Sequence, residues 1–241
     1  TPYDNYINKR IVSNEHLKNI LIKKYGIKEE KIKVVYNGID TEKWKKKKNI
    51  IYKYRKRFDI GENDFLVTYI GRMSYEKNPE KLVKICDLVV NKFCRKDVKF
   101  ILAGDGPLYK DLKKQIINKD LQNYIYLTGS IDDSIQLLSE SSVLLLVSEN
   151  EGVPFVILES MSMNVPVISS NVGGVPEIIS NNRDGFLYSY NKNLEVNVAK
   201  MIIKLQKEKT LYNKISDQAR NKILTKFNMG VFKEKYIKLL R

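Results

Sequence analysis

The sequence predicts an α/β fold, a Rossmann-like parallel sheet with helices on both faces. From residue 65 to about 188, short apolar runs alternate with amphipathic stretches, and glycine follows nearly every apolar run. Alternation at this spacing is typical of βαβ units. With 43% apolar residues over 241 positions, the chain has the composition and length of a globular protein with a sizeable core.

Hydrophobic periodicity places the elements of this region. Runs rich in β-branched and aromatic residues predict strands at Phe65–Ile70, Val98–Ala103, Tyr124–Thr128, Val143–Val147 and Val165–Ser169. Amphipathic stretches predict helices at Pro79–Phe93, Tyr109–Ile117, Asp132–Glu140, Pro154–Met163 and Pro176–Ser180.

The flanks predict further elements. They are a strand at Tyr6–Ser13, a helix ending at Tyr25, a strand at Ile32–Tyr36, a turn at Asn37–Asp40, and two or three Lys-rich helices over residues 192–241, the last at about Asn228–Leu240. The segment between Thr41 and Phe58 is strongly basic. Its apolar residues fall roughly on one face, namely Trp44, Ile51, Tyr54 and Phe58.

The formal net charge is +15, carried by 35 lysines and 8 arginines. Surfaces that read nucleic acid rely on the planar fork of Arg, so this excess of lysine argues against a nucleic-acid partner. We interpret the basic run Lys43–Arg57 as a solvated face, with peripheral contact to an anionic membrane as the alternative. The longest aliphatic run, Val143–Val147, is far shorter than a membrane span.

Cys86 and Cys94 fall on one predicted helix about 12 Å apart, too far for a disulfide, and their spacing suits no metal. Both are expected to be packing residues in a reducing, cytoplasmic compartment. His16, the single histidine, is expected to be solvated. The segment Thr1–Asp4 has neither an initiator Met nor a signal-peptide pattern, which suggests an excised fragment.

Glycines mark the carboxyl ends of the predicted strands, at Gly71, Gly104, Gly129, Gly152 and Gly173. In open parallel sheets, ligands bind at this edge, and a backbone approaches a phosphate most closely at glycine. These loops therefore favour a nucleotide-like ligand. The alternative is that they are ordinary turns between strands and helices.

The segment from Glu151 to Glu159 combines two carboxylates with a helix start. Pro154 suits the first helical position and would leave the next three amides free to bind an anion. Glu159 could accept both hydroxyls of a ribose, and Glu151 would point into the same crevice. The alternative is that Glu151 is a helix-start acid and Glu159 a solvated residue.

Arg72 and Lys77 lie in one loop that begins at Gly71. On the rim predicted above they could clamp a diphosphate, Arg as a fork and Lys as a point charge. The alternative is two ordinary surface cations. The next loop, Gly104–Pro107, is a tight turn whose Asp105 is expected to cap the following helix.

These motifs occur together and in order, followed by NVGGVPEII and by DGFL at Asp184–Leu187. The ordered set resembles the donor-binding half of a retaining glycosyltransferase of family 4. The resemblance runs from about Asn37 to Leu187, is weaker at both ends, and implies the C-terminal half of a GT-B fold. Asn164 stands where that family usually has Gly. Because Asn also adopts the left-handed conformation, the turn is expected to survive.

The resemblance assigns roles to the candidate residues. Arg72 and Lys77 would bind the donor diphosphate in place of a metal, so no metal and no other cofactor is expected. Glu159 would hold the ribose, and Glu151 would reach the hydroxyls of the transferred sugar. The expected catalytic residues are Arg72, Lys77 and Glu151. The expected donor-binding residues are Gly71 and Gly104, then Gly129, Ser130 and Ile131 at the base, Gly152 and Val153 at the sugar, Pro154 with the amides of Phe155, Val156 and Ile157 at the distal phosphate, and Glu159.

The resemblance also implies an organisation and an activity. Residues 1–28 would be the tail of an N-terminal acceptor domain, 29–225 the donor domain, and 226–241 a helix that crosses back. The expected activity is retaining transfer from a nucleotide sugar, UDP-linked in our expectation, to a glycan or lipid-linked acceptor in bacterial surface polysaccharide synthesis. This fragment alone is expected to be inactive. The alternatives are a sugar-nucleotide epimerase of similar shape and a non-enzymatic nucleotide-binding module.

Overall fold

The computed structural model of the chain describes residues 7–46 and 50–240. The strands are β1 (Arg10–Val12), β2 (Ile32–Val34), β3 (Phe65–Ile70), β4 (Val98–Ala103), β5 (Ile125–Gly129), β6 (Val143–Leu146), β7 (Val167–Ser170) and β8 (Phe186–Tyr188). The helices are α1 (Glu15–Tyr25), α2 (Lys53–Arg57), α3 (Pro79–Asp87), α4 (Tyr109–Asn118), α5 (Ser134–Glu140), α6 (Phe155–Ser162), α7 (Val175–Ile178), α8 (Leu194–Lys207), α9 (Lys209–Lys226) and α10 (Met229–Leu240).

Six strands form one parallel sheet in the order β5-β4-β3-β6-β7-β8. The predicted parallel sheet is thus confirmed, as are all five predicted strands in it. The chain runs from β3 outward to β5 on one side, then from β6 outward to β8 on the other. The strand order therefore reverses between β3 and β6, where Val67 pairs with Val143. Ligands of open α/β sheets bind at such a switch point.

Alternate residues of the strands pack on opposite faces of the sheet. On β3, Leu66 joins a cluster with Tyr54 of α2 and Leu137 of α5, whereas Val67 joins the larger core. That larger core also holds the buried aliphatic side chains of α3, α6, α8 and α9. Since neighbouring strand residues point to opposite faces, helices cover both faces, as the sequence predicts.

A small unit precedes the sheet. β1 and β2 pair in parallel, and α1 connects them. Asn14 caps α1 by accepting a hydrogen bond from the amide of Leu17 at 2.6 Å, and Gly26 ends the helix in the left-handed conformation. The turn after β2 contacts the far end of the chain, because Ile39 forms a bridge with Asn228 just before α10. The domain boundaries expected from the resemblance stay predictions.

The helix predicted at Pro79–Phe93 ends early, and this corrects the expectation for one cysteine. α3 stops at Asp87 and a π-helical turn follows over Leu88–Lys92. Cys94 comes after that turn with a φ of 55° and is exposed, whereas Cys86 is buried on α3. Cys94 is therefore not the packing residue that was expected. The periodicity did not reveal the change, since a π turn continues the helical path with a different repeat.

The basic segment also departs from expectation. Arg55 is only 5% exposed and donates to the backbone oxygens of Asp64 and Glu140. The buried carboxylate of Glu140 in turn accepts hydrogen bonds from the amides of residues 53, 54 and 55 at the start of α2. Arg55 is thus part of the packed structure rather than of a solvated face. Ile51 is 72% exposed and does not share the buried face of Trp44 and Tyr54.

Several expectations concern residues outside the described ranges. They are the chain start at Thr1–Asp4, the first residue of the predicted strand at Tyr6, and positions 47–49 of the basic run. No helix within residues 7–46 and 50–240 has both the length and the apolar character needed to cross a membrane.

Candidate functional site

The loops at the carboxyl ends of the strands are joined by backbone hydrogen bonds. The amide of Gly104 donates to the carbonyl of Gly129, and the amide of Met73 donates to that of Asp105. Across the switch point, the amide of Glu149 donates to the carbonyl of Glu76 at 2.9 Å. The loops that the sequence predicted to share one rim therefore form a continuous, mutually supported edge.

The two candidate constellations meet at one ion pair. Lys77, after β3, places its Nζ 2.7 Å from Oε2 of Glu151, after β6. The second carboxylate oxygen of Glu151 accepts from Ser148 Oγ at 2.6 Å. Ser148 is held in turn, because its carbonyl accepts from Ser170 Oγ at 2.6 Å. Glu151 is 9% exposed, so a buried carboxylate and a half-buried ammonium compensate each other at the switch point.

Arg72 lies at a separate cleft on the same rim. This cleft has a volume of about 310 Å³ and is lined by Ile70, Gly71, Arg72, Ala103, Gly104, Asp105, Ser130 and Ile131. The Arg72 side chain is exposed, and no bond joins its guanidinium to another residue of the described ranges. The structure thus gathers around one cleft five expected site residues, which lie in the loops after three different strands, and Arg72 is one of them.

The start of α6 differs in detail from the prediction. Pro154 is the residue before the helix, and Phe155 is the first helical residue. The amide of Ile157 donates to the carbonyl of Pro154 at 3.1 Å, so it is not free. Proline therefore caps the helix by its carbonyl, and the amides of Phe155 and Val156 are the ones left without an intrahelical partner. The expectation that the Ile157 amide is free to bind an anion was therefore wrong. The positive end of the helix dipole still faces the rim.

Glu159 is half-buried on α6. Burial raises the pKa of its carboxyl from the ordinary value to about 7, and the charge of Lys43 opposes that rise. Its position one turn into the helix matches the prediction. Glu159 is therefore partly protonated at neutral pH, which makes its ability to accept hydroxyl groups dependent on pH.

Some rim glycines are required by loop packing. A Cβ on Gly104 would lie 1.9 Å from the carbonyl oxygen of Gly71, and one on Gly173 would lie 1.7 Å from that of Glu151. Both have positive φ. By contrast, Gly129 and Gly152 have nothing within 4 Å of such a Cβ. Space for a ligand is therefore found at Gly129 and Gly152, whereas Gly104 and Gly173 allow two loops to touch.

The small N-terminal unit reaches the same rim. Glu177, on α7, accepts hydrogen bonds from the amides of Glu15 and His16 and from Tyr36 Oη, each between 2.7 and 2.8 Å. A Cβ on Gly174 would lie 2.9 Å from Nδ2 of Asn14. His16 itself is exposed, as predicted. The unit therefore contacts the loop that supports Glu151.

Sequence reasoning missed several supporting residues. Ser148 donates to Glu151, Ser170 donates to the carbonyl of Ser148, and Tyr69 of β3 donates its hydroxyl to the carbonyl of Arg72 at 2.8 Å. A polar atom at the end of a buried strand was the available signal for each. Within the described part of the chain, no three His, Cys, Asp or Glu side chains gather in a way that could hold a metal ion.

The sequence is similar to those of known proteins. The family described as "Glycosyl transferases group 1" matches residues 50–222. The chain is 32% identical over 214 residues to the Escherichia coli UDP-Gal:alpha-D-GlcNAc-diphosphoundecaprenol alpha-1,3-galactosyltransferase, covering 88% of this chain and 54% of that protein. It is 29% identical over 196 residues to the Bacillus anthracis N-acetyl-alpha-D-glucosaminyl L-malate synthase, covering 81% and 50%. The chain thus spans about half the length of these relatives.

Solved structures show the same fold. The Anabaena protein HepE, crystallised with UDP, superposes with a TM-score of 0.89 at 24% identity, over 99% of this chain and 65% of that one. The C-terminal domain of a group 1 glycosyltransferase from Francisella tularensis superposes with a TM-score of 0.69 at 20% identity, over 80% and 100%. The fold is that of GT-B glycosyltransferases, and the chain belongs to the group 1 glycosyltransferase family.

Proposed function

We propose that this chain is the donor-binding half of a retaining, metal-independent glycosyltransferase, which transfers a sugar from a nucleotide sugar to a glycan or lipid-linked acceptor. The observation that carries the proposal is the Lys77–Glu151 ion pair at the switch point, on the same rim as the cleft that Arg72 lines. Two cations, Arg72 and Lys77, and the carboxylate of Glu151 follow adjacent strands of the sheet. This combination suits a ligand that joins phosphates to a sugar.

The cations have a direct role in this reaction. When the bond between the anomeric carbon and the phosphate oxygen breaks, negative charge grows on the departing nucleoside diphosphate. Arg72, Lys77 and the free amides of Phe155 and Val156 would stabilise that charge more in the transition state than in the ground state. This is the role that a divalent metal has in other transferases, and it is why we propose metal-independent transfer.

The carboxylates have distinct roles. Each oxygen of Glu151 already accepts one hydrogen bond and keeps a further lone pair, so Glu151 can accept from hydroxyls of the transferred sugar while Lys77 and Ser148 hold it. Glu159 would accept from the ribose. The nucleotide base would lie by Gly129, Ser130 and Ile131, at the end of β5, where Gly129 leaves open space.

Retention follows from attack on the face that the leaving group vacates. The acceptor oxygen forms its bond to the anomeric carbon as the phosphate oxygen departs, and the acceptor proton passes to that phosphate oxygen. No protein nucleophile is required. The carboxylate of Glu151 is engaged with Lys77 and Ser148, which agrees with a binding role rather than a nucleophilic one.

The acceptor and the location are proposed from the relatives. The Escherichia coli relative is named for a diphosphoundecaprenol acceptor, and a Campylobacter jejuni relative, 29% identical over 180 residues, for a PP-undecaprenol acceptor. We therefore favour a lipid-linked acceptor in surface polysaccharide synthesis, held by an N-terminal domain. A cytoplasmic enzyme in peripheral contact with an anionic membrane would suit this acceptor. Lys53, Lys56 and Arg57 are exposed on α2 beside the exposed Ile51 and could make that contact.

The test is calorimetry of the 241-residue chain against UDP-, GDP- and ADP-sugars, with and without a chelator. We expect one nucleotide to bind, with UDP favoured, and binding to persist in chelator. A donor that binds only with a divalent ion would overturn metal independence, and failure of every donor would overturn the donor site. For the protein that includes its N-terminal domain, labelled donor with an acceptor panel separates transfer from epimerisation and from binding alone.

A further inference from the structure

Tyr69 lies directly beneath the loop that carries Arg72. It occupies the last but one position of β3, its side chain is fully buried, and its Oη donates to the carbonyl of Arg72 at 2.8 Å. The hydroxyl also lies close to Gly71, since a Cβ on Gly71 would lie 2.7 Å from it. A side chain at residue 71 would therefore displace the hydroxyl, and glycine leaves room for it.

The phenol is a fixed hydrogen-bond donor in this position. Burial, together with the nearby charges of Glu151 and Glu76, raises the pKa of Tyr69 well above its usual range. The group is therefore neutral at any working pH and keeps its proton for the Arg72 carbonyl.

The backbone around Arg72 is fixed on both sides, whereas its side chain is not. The Arg72 carbonyl also accepts from the amide of Ser74 at 3.1 Å, and the amide of Met73 donates to Asp105 at 2.9 Å. Arg72 lines the 310 Å³ cleft, and its guanidinium, by contrast, forms no hydrogen bond or ion pair with a described residue. A cation that is not held by a hydrogen bond, on a backbone that is, suits preorganised binding of an anion.

We propose that Tyr69 is a positioning residue, whose hydroxyl fixes the Arg72 backbone so that the guanidinium meets the donor diphosphate. The proposal rests on the proposed function. Binding of the diphosphate then depends in part on the buried phenol of Tyr69, which does not touch the ligand. Tyr69→Phe keeps the aromatic packing and removes only the hydroxyl, so it isolates this role.

The experiment is a double-mutant cycle on nucleotide affinity. Wild type, Tyr69→Phe, Arg72→Ala and the double variant are titrated with whichever of UDP, GDP or ADP binds wild type most tightly. We expect Tyr69→Phe to weaken binding about fivefold in wild type and to change it less than 1.5-fold when Arg72 is already Ala. A purely structural role would give the same factor in both backgrounds.

The matched control is Tyr126→Phe. Tyr126 also donates its hydroxyl to a backbone carbonyl, that of Asn123 at 2.9 Å, but away from the Arg72 loop. We expect it to leave nucleotide affinity unchanged. Should Tyr69→Phe fold poorly, 4-fluorophenylalanine at position 69 fills the volume of the hydroxyl without donating a hydrogen bond, and the same two factors are expected.

The outcomes separate the two proposals. Equal Tyr69→Phe factors in the two backgrounds, or unchanged affinity in Tyr69→Phe, would overturn the positioning role and leave the donor site intact. If none of the three nucleotides binds wild type, or if Arg72→Ala binds as tightly as wild type, the phosphate clamp fails and the positioning role fails with it.

Discussion

Lys77 and Glu151, 74 positions apart in the chain, form a 2.7 Å ion pair that links the loop after β3 to the loop after β6. The pair has two consequences. It holds a cation and a carboxylate at the strand reversal, where open α/β sheets bind their ligands, and it compensates the buried charge of Glu151. Removing Lys77 should therefore affect both ligand binding and stability, whereas removing the exposed Arg72 should affect binding alone.

The first prediction separates these effects. Arg72→Ala and Lys77→Ala should each weaken nucleotide binding by about 1–3 kcal/mol, because each removes a charged hydrogen-bonding partner. Only Lys77→Ala should also lower the free energy of unfolding, since Glu151 is left buried without its cation. Calorimetry and urea unfolding measure the two quantities.

A matched control is Lys81→Ala, which removes the 2.8 Å ion pair between Lys81 of α3 and Glu195 of α8. It should change stability without changing nucleotide affinity. Unaltered affinity in both Arg72→Ala and Lys77→Ala would contradict the phosphate clamp.

The second prediction concerns Glu159. Burial raises the pKa of its carboxyl group to about 7. Only the ionised carboxylate can accept both ribose hydroxyls, so affinity for the nucleotide sugar should rise as pH increases through about 7. Glu159→Gln should bind more weakly and lose this dependence. Titrations between pH 6 and 8 test it, and the control is His16→Asn, because histidine is the residue type that ordinarily titrates in this range. A flat profile for wild type, or one abolished by His16→Asn, would rule out Glu159.

The same carboxyl links pH to stability with a definite sign. Between its unfolded value of about 4.5 and its folded value of about 7, the folded chain holds a proton that the unfolded chain has released. This contribution to stability is therefore lost as pH rises through that window. Above it, Glu159→Gln should be more stable than wild type, by about 1 kcal/mol after allowance for solvent screening of a partly exposed group.

Much of this arrangement was predictable, and particular residues show where prediction stopped. Asn164, expected to keep a left-handed turn where the family has glycine, has a φ of 56°. β8 was not predicted, because Phe186–Tyr188 is too short to display a period of two. Tyr69 reads as an apolar strand residue, and its hydroxyl finds a partner only once the Arg72 loop folds over it. Likewise, Arg55 looks like one more surface cation until the distant Glu140 is in place.

The third prediction compares two glycines of the rim. Gly173→Ala should destabilise the chain by about 2–4 kcal/mol, because its Cβ would lie 1.7 Å from the carbonyl oxygen of Glu151 at a φ of 56°. Gly152→Ala should leave the melting temperature unchanged, since nothing lies within 4 Å of its Cβ. Thermal unfolding distinguishes them. Equal melting temperatures for the two variants would mean that the contact between these loops is looser than described.

The fourth prediction concerns the buried cap of α2. Glu140→Ala should cost about 3–5 kcal/mol, because it leaves three amides at the start of α2 without their acceptor and removes the negative charge near the buried guanidinium of Arg55. The control is Glu234→Ala on α10, which removes an exposed ion pair with Lys238 and should change stability by less than about 0.5 kcal/mol. Similar losses in urea unfolding would show that burial does not distinguish the two sites.

The fifth prediction is that the 241-residue chain binds a nucleotide sugar without transferring the sugar. The chain spans 54% and 50% of the two curated relatives described above, so half of such an enzyme is outside it. Transfer requires the acceptor hydroxyl about 3 Å from the anomeric carbon, and one open rim cannot impose that position. An open rim also leaves the departing diphosphate in water, where the exposed Arg72 stabilises it far less than in a closed site. A single-turnover assay with radiolabelled donor should show transfer only when an N-terminal acceptor domain is joined to the chain. Comparable transfer by the 241 residues alone would mean that they already contain the complete site, and the assignment of the acceptor to a second domain would be wrong.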